Sequence, residues 1–170
     1  MTLAVICAAH TAAADGRPRL VPATVLHVHD GDTITVRVGG RKERVRLIGM
    51  DTPEIERNEK FRRDARRDRR HTPGQLLALG RQARAFTLGL APPGSEVGLE
   101  FDVSERDRYG RLLAYVWVKR GAGGSVMLNA ELLKAGLARV MTIPPDVGRA
   151  KYFYGLQGQA RSKGLGFWGR

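Results

Sequence analysis

The chain has 170 residues, a length that fits one domain with a sizeable core. Its 29 Lys and Arg against 17 Asp and Glu leave a net charge of +12, while a hydrophobic content of 42% is that of a folded chain. Wholesale disorder is thereby excluded, and polyanionic partners are favoured, either nucleic acid or an anionic membrane surface. No stretch approaches the roughly 20 apolar residues of a membrane-spanning helix. The single Cys7 permits neither an internal disulfide nor a thiolate zinc site.

Residues 1–14, MTLAVICAAHTAAA, are a short apolar run followed by small residues, with Ala12-Ala13-Ala14 before Asp15 in the pattern of a signal-peptidase site. The basic n-region of a signal is missing, so a truncated secretory signal and a disordered N-terminus both fit. A signal would imply a secreted or periplasmic protein; without one, a cytoplasmic location stands. Either way the single domain is set at 15–170, and it carries the whole formal charge.

Three strands come first: Thr24 to His29, Thr33 to Val38 and Val45 to Met50, rich in β-branched residues and separated by turn chemistry. Ile34, Val36 and Val38 alternate with Thr33, Thr35 and Arg37, which gives the second strand one apolar and one polar face. Asp30-Gly31-Asp32 joins the first two, and Gly39-Gly40 marks the next reversal. Arg62 to Arg70 (RRDARRDRR) then breaks the composition. It reads either as a solvated helical turn or loop in which Asp64 and Asp68 pair locally with arginines, or as a basic surface beside the substrate. A helix follows from Pro73 to Leu90, stopped by Ala91-Pro92-Pro93-Gly94. Val97, Leu99, Phe101 and Val103 alternate in a fourth strand, and Arg111 to Lys119 is the fifth. A second helix spans roughly Asn129 to Ala135, with Asn129 as N-cap and Gly136 ending it, and a third runs from about Pro145-Asp146 to Lys163. Five strands with one helix inserted and two at the end predict a small Greek-key barrel.

Three motifs carry chemistry. Asp30-Gly31-Asp32-Thr33 sits at a hairpin tip. Arg46-Leu47-Ile48-Gly49-Met50-Asp51-Thr52-Pro53-Glu54 delivers an arginine on a strand and then two carboxylates where Pro53 ends it. Crowded carboxylates repel unless a positive charge lies between them, and a hard divalent cation with oxygen ligands answers that need. Asp107-Arg108-Tyr109-Gly110-Arg111 is a tight turn opening the fifth strand. Taken singly, each is also an ordinary charged turn.

Together the three resemble the staphylococcal nuclease (thermonuclease) family, over about Val21 to Trp168. The resemblance extends to Leu128-Asn129-Ala130-Glu131-Leu132-Leu133 and to the terminal Phe167-Trp168. It implies an OB-fold, a five-stranded Greek-key barrel with three α-helices. It also implies that Asp32, Asp51 and the carbonyl of Thr52 ligate calcium, that Glu54 holds the attacking water, and that Arg46 and Arg111 grip the scissile phosphate. Tyr109, with Arg108, falls at the nucleotide's phosphate end. The implied activity is calcium-dependent hydrolysis of DNA, RNA or both with low sequence specificity, leaving 3′-phosphate and 5′-hydroxyl ends. A monomer is expected, with no membrane insertion and no organic cofactor. The rival reading is a non-catalytic OB-fold nucleic-acid-binding module. The intact set of Asp32, Arg46, Asp51, Glu54 and Arg111 speaks against it.

Two departures from the family stand out. Arg139 to Pro145 has no aromatic residue where the family's archetype stacks a base, and Met141 and Ile143 there read as packing residues more readily than as an apolar shelf. The stretch from Glu54 to Arg84 is about a dozen residues longer than in the archetype, and its Arg62, Arg63, Arg66 and Arg67 are candidate phosphate contacts. His27 and His29 share one strand face, which reads as a polar surface more readily than as a metal pair.

Overall fold

A computed structural model describes residues 18–121 and 124–169. The signal-like segment 1–14, with Cys7, lies outside them. Period-two patterning builds the barrel. In β2 (Thr33–Val38) the side chains of Ile34, Val36 and Val38 point into the core, meeting those of Val25 in β1 (Val21–Val28) and Val45 and Leu47 in β3 (Arg41–Leu47). Each such side chain contributes about 1.5–3 kcal/mol through burial.

The order of strands is that of an OB barrel. β2 pairs antiparallel with β1 and β3, β1 with β5 (Glu96–Glu100), and β5 with β6 (Leu112–Lys119). β6 closes the ring by pairing parallel with β3, Arg46 opposite Leu113. A third partner for β6 is β7 (Ser125–Met127), and a separate two-stranded ladder joins β4 (Met50–Asp51) to β8 (Arg139–Val140).

Four helices occur among the described residues where three were expected: α1 (Glu59–Arg67), α2 (Pro73–Leu90), α3 (Leu128–Lys134) and α4 (Ala150–Ser162). α2 has the expected bounds, set by a capping box between Thr72 and Gln75 with Pro73 in the first turn. α4 begins later than expected, at Ala150. Asn129 is not an N-cap. It lies fully buried inside α3, where Oδ1 accepts from the Val116 N–H at 2.9 Å and Nδ2 donates to the Ile48 carbonyl at 2.9 Å. It thus ties α3 to β6 and to the segment between β3 and β4, satisfying backbone groups that a strand end leaves open. Phe153 of α4 packs against Tyr115 and against Gly49, where an added Cβ would lie 2.5 Å from the Phe153 ring.

Candidate active site

The site is assembled where β2 begins and β3 ends. The Asp32 N–H donates to Asp30 Oδ1 at 3.0 Å, closing the turn between β1 and β2. α2 clamps this turn from outside: Thr87 donates to the Gly31 carbonyl at 2.8 Å, and Arg84 Nε donates to the His29 carbonyl at 3.1 Å. A Cβ on Gly31 would come within 2.7 Å of both Ala83 and Thr52, so only glycine fits between helix and hairpin. The turn is therefore a packed corner rather than a free hairpin tip.

Cross-strand pairing of Thr33 with Arg46 sets the arginine beside Asp32. Arg46 Nη1 donates to Asp32 Oδ1, and Nη2 donates to Asp51 Oδ1 at 2.6 Å, so one guanidinium spans both carboxylates. Asp32 is 1% exposed and accepts further bonds from the Thr52 N–H at 2.8 Å, Thr52 Oγ1 at 2.9 Å and Thr33 Oγ1 at 3.1 Å. A buried carboxylate is tolerated only with such partners. Burial pushes the neighbouring Asp30 carboxyl above its ordinary pKa, against the opposing pull of Arg46 and the Thr33 hydrogen bonds.

Glu54 follows Pro53 at the mouth of the site. α2 packs directly on its backbone, since a Cβ on Gly80 would lie 2.3 Å from the Glu54 carbonyl oxygen. Its carboxylate accepts from Asn58 Nδ2 at 2.6 Å and pairs with Lys60 Nζ at 3.0 Å. Lys60 also lies 3.0 Å from Asp51 Oδ2, 3.0 Å from Asp64 Oδ2 and 3.3 Å from the Thr52 carbonyl oxygen. Burial lowers the pKa of this ammonium, but Asp51 and Glu54 outweigh it and leave it above the ordinary lysine value.

Arg111, the residue before β6, faces the same cleft of about 660 Å³ as Arg46, Asp51 and Glu54. Its guanidinium is held by Asp107, with Nε donating to Oδ2 at 2.8 Å. Burial raises the Asp107 pKa, but hydrogen bonds from Arg111 and Tyr109 outweigh it and hold the carboxyl below its usual range. Tyr109 is 69% exposed, with the Arg108 guanidinium 4.8 Å above its ring. The structure thus joins Asp32, Arg46, Asp51 and Thr52 by direct contact, reaches Glu54 through Lys60, and lines the same cleft with Arg108, Tyr109 and Arg111. Met141 and Ile143, read from sequence as packing residues, instead line this cleft, and Ile143 is 62% exposed.

The arginine run is neither a free loop nor a uniform basic surface. α1 starts at the N-cap Asn58, whose side chain accepts from the Phe61 N–H at 2.8 Å, and buries Phe61. Its spacing puts Lys60, Arg63, Asp64 and Arg67 on one face. Arg63 lines the main cleft, and Arg67 a neighbouring cavity shared with Asp51, Glu54 and Arg139. Arg62 and Arg66 are exposed on the outer side. Asp68 then locks the arm to the body through an ion pair with Arg139. Burial raises the Asp68 carboxyl pKa, but the N–H groups of Arg70 and His71 with the side chains of Arg139 and His71 outweigh this and hold it at about 2.

A family model described as staphylococcal nuclease homologue matches residues 44–170. The chain belongs to the staphylococcal nuclease family. It is 38% identical over 146 residues to a thermonuclease of Staphylococcus intermedius, covering 86% of this chain and 75% of that protein. It is 36% identical over 144 residues to the thermonuclease of Staphylococcus hyicus, covering 85% and 73%. Endonuclease YncB of Bacillus subtilis strain 168 is 34% identical over 154 residues, covering 89% of this chain and 64% of its own length. Family membership accords with the OB barrel, and the arm from Glu56 to Thr72 adds α1 to the three helices that the resemblance implied.

Lys60 is the site residue that sequence reasoning missed. A signal for its helix was present: Asn58 before Glu59, with Arg66 and Arg67 in the last turn, is a cap followed by charges that suit the helix dipole. Among the described residues no group of three or more His, Cys, Asp or Glu is gathered to hold a metal ion. The acidic oxygens meet Arg46 and Lys60 instead.

Proposed function

We propose that this chain is a calcium-dependent phosphodiesterase that hydrolyses DNA, RNA or both with little sequence preference. The observation that carries this reading is one guanidinium spanning two carboxylates at the end of a barrel strand, with Glu54 and Arg111 lining the same cleft. Kinship with proteins named thermonuclease and endonuclease supports it.

Asp32, Asp51 and the Thr52 carbonyl would hold the calcium ion. The set is all oxygen, which suits a hard cation, and its carboxylates already attract a guanidinium and an ammonium. Bound there, calcium would polarise a phosphate oxygen and acidify a water molecule. Arg46 and Arg111 would turn part of their hydrogen bonding from Asp51 and Asp107 to the phosphate, each offering a rigid fork that stays charged at any working pH. Glu54, steadied by Asn58, would orient the water and accept its proton as the water oxygen bonds to phosphorus. The bond from phosphorus to the 5′-oxygen breaks and that oxygen takes up a proton, leaving 3′-phosphate and 5′-hydroxyl ends. Each arginine is worth about 3–5 kcal/mol of barrier by comparison with oxyanion donors and arginine fingers.

The cleft offers exposed Tyr109, Met141 and Ile143 but no obvious base reader, which favours an unstacked single strand. Arg63 and Arg67, which line the cleft and its neighbouring cavity, would meet phosphates flanking the cut, whereas Arg62 and Arg66 would face away from them. We further propose that residues 15–170 act as a single monomeric domain outside the cytoplasm. The test is hydrolysis of single-stranded DNA and RNA with calcium, magnesium or chelator, with end-group analysis of the products. Calcium-dependent cutting with 3′-phosphate ends is expected. Salt-sensitive binding without cutting under any metal would install the binding-module reading instead.

A further inference from the structure

The first turn of α1 delivers a positive charge into the acidic set from outside the barrel. Lys60 Nζ is surrounded by Asp51 Oδ2, Glu54 Oε1 and Asp64 Oδ2, each at 3.0 Å, with the Thr52 carbonyl oxygen at 3.3 Å. An ammonium has three donors, and here four acceptors compete for them. The backbone that carries it is anchored at both ends, by the Asn58 cap with buried Phe61 and by the Asp68–Arg139 pair. The side chain is 27% exposed, so its flexible stem can withdraw into the cleft without moving the helix.

Oxygens of Asp51 and Thr52 cannot serve this ammonium and a divalent cation together. Calcium takes its ligands at about 2.3–2.6 Å, inside the shell that Nζ now occupies, and two cations in one oxygen cage repel. We infer that Lys60 is an internal counter-cation of the metal-free site, which a divalent cation must displace before it can bind. The inserted arm thereby raises the metal concentration at which the site assembles, and it holds three carboxylates together when metal is scarce. This rests on the calcium reading given above.

Calorimetric titration of calcium chloride into the full chain, without nucleic acid and at fixed ionic strength, tests it. Lys60→Met keeps the length of the side chain and removes the charge; its calcium affinity is expected to rise about tenfold or more. Lys60→Arg keeps the charge and should stay within about threefold of wild type. Thermal unfolding is the second readout: Lys60→Met should melt below wild type in chelator and gain more from added calcium. If Lys60→Met fails to fold, Lys60→Gln serves for the same comparison. Unchanged or weaker affinity in the neutral variant, or an equal gain in Lys60→Arg, overturns the role of Lys60 while the calcium reading stands. No calcium binding by wild type or variant overturns both.

Discussion

The barrel end and the inserted arm surround the same carboxylates, yet they fix their side chains in different ways. Asp32, Arg46 and Arg111 sit where strands begin or end, so pairing of Thr33 with Arg46 and of Arg46 with Leu113 sets their positions. Lys60, Arg63 and Arg67 sit on a helix of nine residues held by one cap, one buried Phe61 and the ion pairs of Lys60 and Asp68. Strand register leaves almost no freedom, because a slip of one residue would invert every side chain. A capped and pinned helix is a local device whose hold is worth a few kcal/mol. The proposed reading accordingly puts the chemistry on the barrel end, and adjustment of metal and substrate binding on the arm.

The largest effect should come from the barrel. Arg111→Ala is expected to lower turnover by about 10²–10³-fold with little loss of stability, since Asp107 remains near the surface; near-normal turnover would remove Arg111 from the reaction. Arg46→Ala should cost turnover and also about 3 kcal/mol of folding stability in chelator, because Asp32 keeps its burial but loses its counter-ion. Urea unfolding reads that second cost, and an unchanged midpoint would mean that the Thr52 and Thr33 hydrogen bonds suffice.

Effects on the arm should be smaller and of another kind. Replacing Arg63 and Arg67 with Gln should flatten the log–log salt dependence of single-stranded DNA binding by about 1.4, or about 0.7 for each phosphate neutralised. The outer pair Arg62 and Arg66, changed likewise, should leave the slope alone; the reverse pattern would put the substrate on the other face of α1. Asp68→Asn should cost about 1 kcal/mol at neutral pH, after allowance for solvent screening at the edge of the arm. The folded-state pKa of Asp68 lies at about 2, below that of an unfolded aspartate. Its contribution is therefore complete above about pH 4 and is lost as the pH falls towards 2, so wild type and variant should converge there. A constant gap across that range would assign the effect to geometry rather than charge.

The same contrast explains what the sequence could disclose. Period-two alternation announced β2 and β5, though β5 ends at Glu100 before the expected Phe101 and Val103, and the Pro73 start and Pro92-Pro93 stop bracketed α2, because those signals act on the local backbone. Asp32, Arg46, Asp51 and Glu54 were legible as candidates because the three turn motifs together resemble the thermonuclease family, whereas each alone is an ordinary charged turn. α1 was hidden by composition. Phe61 and Ala65 are its apolar side, too few for a periodic pattern, so a docked helix looked like a charged loop. Asn129 looked like a cap because asparagine favours helix starts, whereas its amide satisfies Val116 and Ile48, far away in sequence. Met141 and Ile143 looked like core because apolar character does not tell a cleft wall from an interior. In each case the deciding partner was remote in the chain.

The most direct measurement is single-turnover cleavage of single-stranded DNA by wild type and Glu54→Gln, at saturating calcium and substrate, with DNA binding measured in parallel. The variant should bind DNA as wild type does and cut it several orders of magnitude more slowly, because the carboxylate proposed to hold and deprotonate the water has been changed. Cleavage at a near-normal rate would contradict the placing of the reaction at this end of the barrel.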